Sequence, residues 1–135
     1  MMREIFLIFL LIFASCSGDE TIDRLSLLAL AKKANPTFTV VLADKIGGGP
    51  TCEGEAPSLS YSKGCVKVFR VKVYGLEFAV AEFETLAQAK SEAKRLNQYY
   101  FKNWLLDEVT TEASLEKFVK ETFGAINPNQ IKPSN

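Results

Sequence analysis

The sequence contains no histidine. The commonest general base at neutral pH and the commonest metal ligand are therefore both missing. Serine or cysteine chemistry assisted by histidine is excluded with it. There is no surplus of either charge: 16 lysines and arginines face 16 aspartates and glutamates, and the net charge is zero. Nucleic-acid binders carry a basic excess to neutralise phosphates, so no nucleic-acid partner is expected. Only three cysteines are present, and without histidine they leave a tetrahedral zinc site incomplete. No metal and no other cofactor is expected. Long apolar runs are missing too. The longest, Ile5 to Ala14, rises ~15 Å as a helix, about half of the ~30 Å hydrocarbon core of a bilayer.

What is present is enough to fold. Of the 135 residues, 47% are hydrophobic, with ten Phe, four Tyr and one Trp to fill a core. That length suits one domain, and the composition is not that of a disordered chain.

The apolar run follows Met1-Met2-Arg3-Glu4 and is uninterrupted by polar residues. It suits the h-region of a signal peptide spanning residues 1–15. Phe13-Ala14-Ser15-Cys16 resembles the lipobox of bacterial lipoproteins, in which a small residue precedes an invariant cysteine. The resemblance implies cleavage before Cys16, a diacylglyceryl thioether on its sulfur and acylation of the new N-terminus. Two or more acyl chains hold a protein stably at a membrane. Ser17 stands where an aspartate often marks retention at the inner membrane, so in a Gram-negative cell the expected destination is the outer membrane. The alternative is ordinary signal-peptidase cleavage just after Cys16 or Gly18, which would release a soluble secreted protein. With Cys16 lipidated, Cys52 and Cys65 remain as one pair for an oxidising compartment. Bridging them would contribute ~3 kcal/mol on the chain-entropy model.

Residues 16–20 then form a lipidated tether, 21–126 a single α+β domain and 127–135 a flexible, proline-bearing tail. Thr21 to Ala34 reads as a helix with Ile22, Leu25, Leu28 and Leu30 among its apolar positions, stopped by Asn35-Pro36. Thr37 to Leu42 is β-branched and reads as a strand. Ala43 to Gly64 is a long irregular excursion. The firmest signal is a hairpin, Cys65–Val73 with Leu76–Phe83, turning at Tyr74-Gly75. Its register opposes Val73 to Leu76, Val71 to Phe78 and Phe69 to Val80 on one apolar face. Lys72 meets Glu77 and Lys67 meets Glu82. Val66 is expected opposite Phe83 and Val68 opposite Ala81 on a second, partly apolar face. Thr85-Leu86-Ala87-Gln88 is a capping-box start for a helix with a stripe of Leu86, Ala89, Ala93, Leu96 and Tyr100. Asn103 to Val109 reads as a strand reached by a right-handed crossover and parallel to the second hairpin strand. A last helix starts near Thr110 and stops at Gly124. The expected fold is α+β, order α-β-β-β-α-β-α: a small, mainly antiparallel four-stranded sheet with helices mostly on one face.

Gly47-Gly48-Gly49-Pro50 lacks the ending of a phosphate loop, and Asp44, Glu53 and Glu55 lack calcium-loop spacing. Glu82, Glu84, Asp107 and Glu108 lie near strand ends, where two carboxylates could act as acid and base in a secreted hydrolase. Tyr99-Tyr100-Phe101 with Trp104 is the densest aromatic patch. Tyr100 and Trp104 are expected inside, leaving Tyr99 or Phe101 as a candidate binding surface. Phe83, Ala89 and Leu96, with a turn at Glu84-Thr85, resemble the strand-to-helix half of SPOR domains. That resemblance, over residues 76–97, implies a glycan partner, septal peptidoglycan. The reading favoured is a non-catalytic binding module of the cell envelope, meeting the membrane through its lipid and an envelope protein as partner. A glycan-binding module and a carboxylate hydrolase are the alternatives.

Overall fold

The structure is a computed structural model, and it describes residues 20–41, 52 and 61–130. Among these residues are three helices and five strands: α1 (Arg24–Ala34), β1 (Thr39–Val41), β2 (Cys65–Val73), β3 (Leu76–Phe83), α2 (Leu86–Leu96), β4 (Tyr99–Phe101), β5 (Trp104–Asp107) and α3 (Ala113–Phe123). A 3-10 turn, Pro128–Gln130, follows. The strands form one sheet of order β1-β2-β3-β5-β4, antiparallel at every pairing.

The β2–β3 hairpin forms in the expected register from Lys67↔Glu82 to Val73↔Leu76. Tyr74 and Gly75 both adopt positive φ, 55° and 76°, as a tight two-residue hairpin turn requires. One detail is corrected. Val66 does not face Phe83; the register shifts between Cys65 and Lys67, and Cys65 takes that place. The extra residue is a bulge, and it leaves Val66 exposed.

The larger correction concerns the strand expected over 103–109. The structure has two strands there, so the sheet has five rather than four. Asn97 ends α2 in the left-handed region at φ 56°, and β4 starts two residues later. Lys102, at φ 53°, then folds the chain back, pairing Phe101 with Trp104. The strand that runs parallel to β3 after the helix is therefore β4, at the edge. β5 enters the slot between them, antiparallel to both. A β-α-β unit split by an inserted strand results.

Two of the three helices lie on one face of this sheet, as expected, and the third covers the other. α1 and α3 cover the first face over Val71, Val73, Phe78, Val80, Trp104 and Leu106. α2 lies on the second, over Ala81, Phe83 and Leu105 through Ala89 and Ala93. The alanines bring the helix close to the strands. The capping box forms as expected, Thr85 accepting from the Gln88 amide and Gln88 accepting from the Thr85 amide. α3 ends at Gly124, φ 68°.

Helix α1 starts later than expected, because Asp23 caps it through the Ser26 amide at 2.7 Å. Its buried residues are Leu27 and Ala31, whereas Leu25 is 73% exposed. Leucines surround this helix, and the sheet selects which stripe is buried. The tail is also docked further than expected. Asn127 is buried and its amide reaches Asn97 Oδ1 at 3.1 Å. Ile126 bridges Tyr100 through two backbone hydrogen bonds. That bridge covers the free edge of β4.

Candidate functional site

Cys16, Gly47 to Pro50, Asp44, Glu53 and Glu55 lie outside the described residues. Cys52 and Cys65 are joined as a disulfide, with Cα atoms 5.2 Å apart. The bridge ends at the start of β2, and residues 61–64 just before it lie against the second face of the sheet and α2. Gly64, at φ 100°, packs so tightly on the Gln88 side chain that a Cβ would collide with it. Tyr61 is buried against Ala81, Phe83, Ala89, Ala93 and Leu105.

A polar cluster surrounds Tyr61. Its hydroxyl donates to Asp107 Oδ2 at 2.6 Å, and the Ser62 amide donates to Glu92 Oε2 at 2.5 Å. Glu92 is buried and pairs with Arg95. Across the strands, Arg70 opposes Ala79 and Ala79 opposes Asp107, so a methyl group separates the two charged rows. Arg70 donates to Glu108 at 2.6 Å and to Glu77 at 3.3 Å. The Glu77 partner is thus Arg70, on the diagonal, rather than the directly opposed Lys72.

The carboxylates here are perturbed in opposite directions. Burial pushes Asp107 up, against the Tyr61 hydroxyl and the Glu108 amide that favour its charge, and the net shift is upward. Burial also pushes Glu92 up, but hydrogen bonds from Arg95 and Ser62 outweigh it and hold Glu92 below the usual carboxylate range. Burial, then the bond to Asp107, raise the Tyr61 phenol far above its ordinary value. A carboxyl raised in the folded state contributes stability below its unfolded-state pKa and loses it as pH rises through its folded-state pKa. A depressed one contributes above its unfolded-state pKa and loses it as pH falls through its folded-state value. Replacing Asp107 with Asn is therefore expected to help the fold progressively, relative to the parent, as pH rises through the Asp107 pKa. Urea midpoints of both proteins from acid to neutral pH measure this; a gap moving the other way would contradict it.

The carboxylates singled out as an acid–base pair do not converge. Glu82 pairs with Trp104 on the first face, whereas Asp107 stands with Ala79 on the second. Glu108 is drawn to Arg70 and Asp107 to Tyr61. Among the described residues, no group of three or more His, Cys, Asp or Glu is placed to hold a metal ion.

The aromatic patch is also rearranged. Tyr99 is 1% exposed, and its hydroxyl bonds to Glu116 at 2.8 Å and Gln130 at 3.0 Å. Phe101 is half-buried and stacks on Phe123 at 5.4 Å. Tyr99 is thus removed from the candidate binding surface by burial, while Phe101 keeps part of its ring exposed. Because the residues belong to a strand and not a helix end, alternation sends both to the first face and Tyr100 to the second. Trp104 is fully buried as expected.

A different surface is open. An apolar cleft of about 390 Å³ runs between α1 and β1, lined by Leu25, Leu28, Lys32, Phe38 and Val40 among others. Sequence reasoning missed it because it depends on which stripe of α1 is buried. Glu92 was also missed, though its place beside Ala89 and Ala93 in the α2 stripe marked it as a charge on an apolar face. No family model, curated protein or solved structure matches this chain.

Proposed function

We propose that this chain is an exported lipoprotein, anchored at Cys16, whose stapled α+β domain is a non-catalytic binding module of the cell envelope. The observation that carries the reading is the Cys52–Cys65 disulfide. It suits an oxidising compartment and leaves Cys16, in its lipobox-like setting, as the one cysteine outside the bridge. The start of the fold supports the same reading. The Ile22 amide donates to Asn103 Oδ1 at 2.8 Å, and Trp104 Nε1 donates to the Ile22 carbonyl at 2.7 Å. From Ile22 back to Cys16 the chain reaches at most ~20 Å, so an anchor there holds the domain close to the bilayer surface. The cleft beside α1, and the placement of Glu82 and Asp107 on opposite faces of the sheet, favour binding over catalysis.

Intact-mass analysis of the protein from its own host tests this. The expected mass lacks residues 1–15, carries acyl groups on Cys16 and is two protons short for the bridge. Cys16→Ala should move the protein from the membrane to the soluble fraction. A mature chain beginning after Cys16 or Gly18 would establish the secreted alternative instead.

A further inference from the structure

We infer that β1 and the cleft beside it are a docking edge for an extended peptide segment of a partner protein, with apolar and acidic residues in alternation. The two edges of the sheet are treated differently. β4 is closed by the Ile126 bridge. β1 pairs only with β2 among the described strands, so part of its row of amides and carbonyls faces outward. Proteins usually protect such an edge with charge, proline or a cover. Thr39-Val40-Val41 has neither charge nor proline, and Val40 is 39% exposed.

The surroundings specify the occupant. Val40 opposes Val71 and belongs to the first face. On that side lies the cleft, with Phe38 as its floor and the exposed Leu25 as a wall. A strand added beside β1 would place every second side chain there, and those must be apolar. The intervening side chains point to the second face, where Lys72 stands opposite Thr39. Neither Lys72 nor Lys32 has a carboxylate partner among the described residues. Helix α1 adds Lys33 and contains no acidic residue. The second row and the ends of the incoming segment are therefore acidic. A second copy of this chain fits less well, because antiparallel β1–β1 pairing would bring both sets of lysines to one seam. This inference deepens the binding-module reading and is independent of the lipid on Cys16.

The test uses the full protein, purified in detergent, and the peptide acetyl-Glu-Val-Glu-Val-Glu-Val-Glu-amide as probe. Binding is expected to protect those amides of Thr39 to Val41 that do not bond to β2 from hydrogen exchange, and to weaken with salt. Leu25→Glu and Lys72→Gln are each expected to bind at least tenfold more weakly while melting as the parent does. A probe with lysine in place of glutamate should not bind. Equal binding of both probes, or no protection on β1, overturns the inference. So does protection of those outward amides already present without probe, which would show the edge to be occupied. Loss of membrane attachment with probe binding intact would instead overturn only the anchor.

Discussion

Trp104→Ala is expected to destabilise the domain by about 3–5 kcal/mol, the usual cost of truncating a large buried aromatic. Trp104 is fully buried in β5 and meets Phe69 edge-on at 5.7 Å between centroids. It touches both the sheet and the entering chain, since its indole N–H holds the Ile22 carbonyl. Small domains are stable by roughly 5–15 kcal/mol in total, so this variant sits near the edge of folding. Trp104→Phe separates the two roles. It retains most of the apolar bulk and is expected to lose ~1 kcal/mol or somewhat more, from the hydrogen bond and a small void. Urea midpoints measure the cost. Hydrogen exchange at the Ile22 amide reports whether the entering segment has come loose. Alanine costing no more than phenylalanine would show that the indole is not the centre of this core.

Opening the disulfide should have the next largest effect. Cys52→Ser with Cys65→Ser is expected to lose ~3 kcal/mol on the chain-entropy model. The loss should be concentrated on the second face. Cys65 packs on the small core that Tyr61 covers, and Tyr61 precedes the bridge by a few residues that also carry Ser62 to Glu92. Released, Tyr61 would expose Ala81 and Phe83 and free Asp107 from its hydroxyl bond. The phenol should then titrate near the ordinary tyrosine value, which ultraviolet difference titration detects. A doubly substituted protein with parental stability and a still-shielded Tyr61 would show that packing alone holds this segment.

Short-range rules made several elements legible. The β2–β3 register follows from a two-residue turn at Tyr74-Gly75 and from alternation, because any slip would put Val71 and Phe78 in water. Thr85 with Gln88, and Gly124, mark helix ends through hydrogen bonds and backbone freedom within one turn. The misreadings arose where two solutions satisfied the same local pattern. Residues 99–107 are apolar enough to continue from α2 or to form a hairpin. Gln98 settles it, accepting from the Val109 and Thr110 amides at 2.9 and 3.3 Å across the hairpin ends. That contact exists only once β5 has entered the sheet.

For the candidate sites the division runs the same way. The chain's own order of residues determined the unbroken apolar run before Cys16, the small-residue context of that cysteine, the exclusion of histidine chemistry and the central hairpin, since each depends on residue type or on neighbours a few positions apart. Only the tertiary structure decided that Tyr99 is buried, that Glu82 and Asp107 occupy opposite faces, and that Leu25 stands exposed beside β1. Those outcomes depend on which side of a helix or strand meets the rest of the molecule, and burial is a property of the assembled layers, with no local signature to read beforehand.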